Sequence, residues 1–314
     1  MRANHLTRCR GAVPAQVTVG QRLEPDCDVK YSVKFMETYR RSTFTLNTVP
    51  EVHLPRAPLV KVLTQVQFSR TPSLVSDETE VAMADVLARY PIRRQVLAAG
   101  VAFSLGVAAN QPMPFPQSPS IVRLFSDPAG AWQVTLSETS VALESFRYES
   151  RDDFCDRAQE VFTAVAELSR PPVVDRIGLR YIDRLTGEDL GRLNAYIAPE
   201  LCVLYGALGE ELGLEHSVSD SVIRIGDNER MQVRSGLLPP NGSFDPALPP
   251  LGEPSWLLDL DVFTVQGGIE FQPTDMGDRL RRYADHAYAF FRFATTDLFQ
   301  EEFRRPLPTE AIHQ

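Results

Sequence analysis

VVDRIGLRYIDRL, residues Val173 to Leu185, follows the pair Pro171-Pro172 and alternates apolar with charged side chains. In an extended chain successive side chains point to opposite faces. Ile177, Leu179 and Tyr181 therefore share one face, and Arg176, Arg180 and Arg184 share the other. The period of two predicts a strand that is half core and half polar. Asp175 and Asp183 bracket its apolar face and mark where it leaves the core.

Upstream, Leu59 to Phe68 reads as a strand after Pro55 and Pro58, with Val60, Val62, Val66 and Phe68 on one face. Ser76 and Asp77 suit the cap of a helix whose stripe Val81, Ala84, Leu87 and Ala88 ends at Tyr90-Pro91. A short strand is expected over Val101 to Leu105, then a proline-bearing loop from Ala108 to Ser120. Ile121 to Phe125 and Trp132 to Leu136 flank Asp127-Pro128-Ala129-Gly130, a turn composition that predicts a hairpin. Val141 to Phe146 continues the meander. Ser150 then caps a helix in which Phe154, Ala158, Val161, Phe162, Val165 and Leu168 recur at helical spacing.

Downstream, Asp189 to Leu208 is expected to be helical with an interruption at Pro199. Strands are expected over Val218 to Ile225 and Arg230 to Leu238, joined by Gly226-Asp227-Asn228, and over Trp256 to Val265 after a proline-rich loop. A long helix from Thr274 to Leu298 carries Met276, Leu280, Tyr283, Ala287, Phe290 and Phe291 on one face. Both sides of the proline pair thus read strand, helix, antiparallel strands, helix. This order predicts an α+β fold of two pseudo-repeats, residues 51–170 and 171–305, packed as one globular body. Each curved antiparallel sheet would grip a long helix. Residues 1–35 read as a weakly ordered tail, and Met36 is an alternative start.

The 314 residues carry a formal net charge of −9, which opposes broad nucleic-acid binding, because that rests on clustered Lys and Arg neutralising phosphates. No run reaches the roughly eighteen apolar residues of a membrane helix. The segment after Arg2, Arg8 and Arg10 is short and broken by Pro14 and Gln16, unlike a secretory leader. A cytoplasmic protein without a membrane partner is expected. Cys9, Cys27, Cys155 and Cys202 lack C-x-x-C spacing and read as reduced thiols. Phosphate-loop, dinucleotide, zincin and hydrolase-elbow patterns do not occur, so no cofactor is expected.

Two polar sets could carry function. Asp259 and Asp261 share one face of LLDLDVF. One reading makes them a divalent-cation site beside an anion site of Arg176, Arg180 and Arg184. The other, adopted here, pairs them with those arginines across neighbouring strands as a salt-bridge lattice. His286 shares a helix face with Arg282 and Phe290, which suits packing over general-base work. Tyr283, Tyr288, Phe290, Phe291, Phe293, Phe299 and Phe303 cover more than one side of the last helix. A second buried contact follows: the other repeat, a second subunit or a ligand pocket, in that order.

PLVKVLTQVQF, WQVTLSETSVALESFRYESRDDF, RIGLRYIDRL, LLDLDVF and the C-terminal DLFQEEF resemble, in content and order, a family of uncharacterised, sporadically distributed bacterial and archaeal proteins. The resemblance runs from about Pro55 to Phe303 and implies a shared fold, with no catalytic residues to carry over. The family's patchy distribution implies lateral transfer and a link to mobile-element or defence functions. The expected function is a non-enzymatic binding or interaction module for an unidentified protein or small molecule, with a homodimer as one arrangement. Its contact residues would be Arg176, Arg180, Arg184, Tyr181 and His286. The alternative is a metal-dependent enzyme on a phosphorylated or nucleotide substrate, with Asp259 and Asp261 holding the cation.

Overall fold

The strand Val173–Leu185 (β6) lies beside Leu59–Phe68 (β1) near the middle of an antiparallel sheet. The computed structural model describes residues 43–98, 120–169, 171, 173–202, 204–205, 207–208, 212–243 and 248–306. The strand expected over Val101 to Leu105, the N-terminal tail, Cys9, Cys27 and Met36 lie outside them. The chain divides after Thr43, and the unit from Phe44 onward is described below.

Among the described residues the sheet has ten strands. Beyond β1 and β6 these are Ile92–Ala98 (β2), Ser120–Ser126 (β3), Trp132–Leu136 (β4), Ser140–Ser145 (β5), Ser217–Arg224 (β7), Glu229–Leu238 (β8), Ser255–Thr264 (β9) and Ile269–Glu270 (β10). The order is β2-β3-β4-β5-β1-β6-β9-β8-β7, with β10 pairing β6. All pairings are antiparallel. The hairpin between β3 and β4 closes as its residues predict: Asp127 Oδ1 accepts from Trp132 N at 2.8 Å, and Gly130 takes a φ of 67°. A strand over Ile92–Ala98 was not expected, because IRRQVLA shows no clean alternation.

One sheet face carries the main core. Val62, Val66, Phe68, Val134, Leu143, Ile177, Leu179, Met231, Leu260 and Val262 bury there against helices Asp77–Val86 (α1), Arg151–Leu168 (α2), Pro273–Ala294 (α3) and Asp297–Arg304 (α4). Ser76 caps α1 and Ser150 caps α2, each accepting from the backbone N–H three residues on. The inward stripe of α1 differs from expectation. Thr79, Met83 and the following Leu87 are buried while Val81 is exposed, so tertiary packing chose the phase that the apolar count did not.

Two further expectations need correction. Among the described residues the stretch after β6 forms short turns of helix at Gly187–Gly191, Leu193–Tyr196 and Pro199–Leu201 in place of the expected helix from Asp189 to Leu208. The final helix also breaks: Thr295 is extended and bridges Ile197, and Thr296 caps α4 by accepting from Phe299 N. Adjacent β-branched threonines whose hydroxyls bond nearby backbone favour that break over helix continuation. The face Met276, Leu280, Tyr283, Ala287, Phe290 and Phe291 is buried as expected.

The opposite sheet face is polar yet buried. Lys61, Gln65, Glu144, Arg180, Gln232, Asp259 and Asp261 all lie there with little exposure. Ile182, Leu238, Leu248 and Leu257 form a small apolar cluster on the same side, joined by Val60. Val60 was expected with Val62. A register shift between Leu59 and Lys61 turns it to the other face and brings Leu59 opposite Asp183.

Candidate functional site

The arginines of β6 meet the aspartates of β9. Arg180 donates from Nε and an amino group to the two carboxylate oxygens of Asp259, both at 2.7 Å. Arg234 adds a 2.8 Å contact to the same carboxylate from β8. Arg176 donates to Asp261 at 3.2 Å, and its guanidinium lies 4.3 Å from the centre of the Phe263 ring. Arg184 instead donates to Ser255 Oγ and to the Pro249 carbonyl. Burial raises the Asp261 carboxyl pKa, against the pull of Arg176 and Arg180. Lys61 and Glu144 extend the pattern at 2.8 Å. The charges of this face pair with one another, though Glu144 Oε1, Arg176 Nη1, Arg184 Nη2 and Asp261 Oδ1 are buried without a hydrogen-bond partner among the described residues, which contain no group of three or more side chains fit to hold a metal.

The core face carries a different arrangement. Residues 44–58 form no helix or strand and run as a strap across α3 and α4. Phe44 packs edge-on against Phe290 at 5.0 Å, Val52 N donates to the Tyr288 hydroxyl at 2.8 Å, and Arg56 pairs with Glu302 at 3.1 Å. These contacts account for the aromatic residues on the second side of the last helix. Beneath the strap lies a partly open cavity of about 160 Å³, walled by residues 51–55, Ala57, Leu59, Tyr148, Glu149, Arg151, Tyr181, Asp183, Leu260, Ala284, Ala287, Tyr288 and Phe291.

Asp183 is the unusual member of this wall. It is only 6% exposed, and among the described residues its carboxyl makes no hydrogen bond or ion pair. Burial, followed by the charge of Asp259, pushes its pKa up to about 7. The β1 bulge contributes directly, since it sets Leu59 opposite Asp183 and lets Arg184 N bond the Pro58 carbonyl. Leu59 supplies no polar partner.

The other polar groups of the cavity are placed from three directions. Arg151, in the first turn of α2, pairs with Glu51 at 3.5 Å and with Asp285 of α3, tying strap and helices together. Tyr148 and Tyr181 meet edge to face at 5.9 Å, and burial raises both phenols above their usual range. Glu149 and His53 complete the mouth.

Of the contact residues expected from the sequence, Arg176, Arg180, Arg184, Tyr181 and His286, only Tyr181 lines this cavity, beside Tyr288 and Phe291 of the aromatic face. Arg176, Arg180 and Arg184 belong to the opposite sheet face. His286 is half-buried on α3, outside the cavity wall, and burial lowers its pKa. Sequence reasoning took Asp183 as the residue where β6 leaves the core. Its parity held the signal: Asp183 has the odd number of Ile177, Leu179 and Tyr181, which places a carboxyl on the core face.

No helix among the described residues is long and apolar enough to cross a membrane. Neither a protein-family model nor a curated protein sequence matches the chain.

Proposed function

We propose that the chain is a non-enzymatic binding module whose ligand site is the cavity under the strap. One observation carries this reading: a buried carboxyl without a protein partner among the described residues faces a cavity of about 160 Å³. A buried polar group left unpaired is costly, and a ligand that pairs it recovers that cost. Cavities near 150 Å³ accept a molecule about the size of benzene.

The proposal includes the two pseudo-repeats and the sporadically distributed bacterial and archaeal family. Support for the repeat comes from the sheet order, which runs outward from β1 through β5, β4 and β3, and from β6 through β9, β8 and β7. The long helices α2 and α3 close the two series and pack on each other. In this reading the cavity lies where the start of the second repeat meets the second long helix.

Mass spectrometry of the natively purified protein, with thermal melts against a fragment library, tests the function. A bound small molecule, or fragments that raise the melting temperature, is expected, and Ala57→Trp should abolish the effect by filling the cavity. A protein that carries nothing and responds to no fragment would exclude the cavity as a ligand site.

A further inference from the structure

We infer that the cavity selects a small organic cation: an ammonium group that pairs with Asp183, on a hydrocarbon body lying among Tyr181, Leu260, Ala287 and Phe291. This rests on the binding-module reading above and names the ligand's chemistry. Three observations point the same way.

The first is charge. The cavity wall contains three carboxylates, Glu51, Glu149 and Asp183, against one guanidinium, Arg151. Arg151 is engaged by Glu51 and by Asp285. An anionic ligand would therefore meet an excess of like charge, and a cation would find an unpaired carboxyl.

The second is the aromatic lining. Tyr148, Tyr181, Tyr288 and Phe291 border the cavity, and ring faces attract organic cations, most strongly where water is excluded. The site already shows this preference internally, since the Arg151 guanidinium lies 5.7 Å from the centre of the Tyr288 ring.

The third is the position of the carboxyl. Asp183 stands on the sheet at the floor, with Leu59 of β1 and Leu258 of β9 as its register neighbours and the strap above. A ligand reaching it must bring its charge inward and its apolar part against the walls. Burial raises the pKa of this carboxyl in the protein alone, and a bound cation supplies the charge that favours its ionised form.

The test uses three compounds of one shape: benzylammonium, benzyl alcohol and benzoate, titrated calorimetrically into the full-length protein at pH 8. Benzylammonium is expected to bind at least tenfold more tightly than benzyl alcohol, with benzoate weakest. Asp183→Asn should bring the amine down to the alcohol's affinity and leave the alcohol unchanged. A second readout needs no substitution at the site: affinity for benzylammonium should rise with pH through about 7 and then level off. The other charged groups of the cavity wall are Glu51, Glu149 and Arg151, with Asp285 paired to Arg151, and the charge that acts on Asp183 itself is Asp259 across the sheet. The phenols are Tyr148, Tyr181 and Tyr288, and His53→Gln removes the imidazole at the mouth so that the profile reports the carboxyl. If benzyl alcohol or benzoate binds as tightly as the amine, the cation assignment fails while the binding site stands. If none of the three binds and Ala57→Trp changes nothing, both fail together.

Discussion

Arg180 holds Asp259 through two parallel hydrogen bonds of 2.7 Å, reaching diagonally past Asp261, its direct register partner across β6 and β9. Both side chains are essentially inaccessible to water. Removing Arg180 takes away the two-point partner of a buried carboxylate and leaves it the single Arg234 contact, so Arg180→Ala should cost about 3 kcal/mol. Arg180→Lys should also destabilise, because an ammonium cannot reproduce the planar two-point contact. Urea unfolding measures both, and a loss below about 1 kcal/mol for the alanine variant would show that the pair behaves like a solvated one.

Gly236 makes the pairing of β7 and β8 close. A Cβ at this position would lie 1.9 Å from the Ser217 carbonyl oxygen, so a side chain forces the backbones apart. Gly236→Ala should cost about 2 kcal/mol or more, and the amides of β7 should lose exchange protection before those of β6. Unchanged protection along Ser217–Arg224 would mean that the strands tolerate the methyl group.

The strands on either side of the proline pair were legible because each face has a consistent partner, and period-two alternation records that directly. The polar sheet face was legible in part: Arg176 and Arg180 pair with Asp261 and Asp259 across neighbouring strands as expected, whereas Arg184 bonds Ser255 and the Pro249 carbonyl. Alternation separated Arg180 from Ile177 and Leu179, but burial of the charged side depends on Asp259 and Arg234 arriving from strands distant in the sequence. Val60 was misassigned because a bulge is a property of the pair β1 and β6, invisible in either strand alone. Asp183 was misread for a related reason. A carboxyl at the end of an alternating run normally marks an exit to solvent, and only the strap and α3 turn that exit into a covered cavity.

The Tyr288 hydroxyl accepts from Val52 N and is one of the fastenings of the strap. Tyr288→Phe should therefore raise hydrogen exchange at Val52 and its neighbours while leaving the global unfolding free energy within about 1 kcal/mol. Exchange at Val52 equal to wild type would show that Phe44 and Arg56 hold the strap without it.

Cys155 and Cys202 are buried, and burial pushes both thiols up to about 12. A thiol held protonated is a poor nucleophile. In a Cys9→Ser, Cys27→Ser variant, a thiol reagent at pH 8 should label the protein only as fast as it unfolds, and rapid native labelling would contradict the burial of either side chain.

Asp183 makes stability depend on pH in a direction opposite to that of a paired carboxylate. Its folded pKa of about 7 lies above the ordinary 3.8, so at pH values below both it is protonated folded or unfolded and contributes nothing. As pH rises from about 4, the unfolded chain releases this proton while the folded chain keeps it, and stability falls. The decline continues until the folded carboxyl ionises near pH 7, after which the cost stays constant. At about 1.4 kcal/mol per pH unit the ceiling is several kcal/mol, and structural relaxation will reduce it. Asp183→Asn removes the titration. Its stability relative to wild type should be smallest near pH 4.5 and become about 2 kcal/mol more favourable by pH 8, read from urea unfolding at closely spaced pH values without added ligand. Parallel curves for the two proteins across that range would show that the Asp183 carboxyl is solvated in the folded state, and the cavity would lose the buried charge site on which cation selection depends.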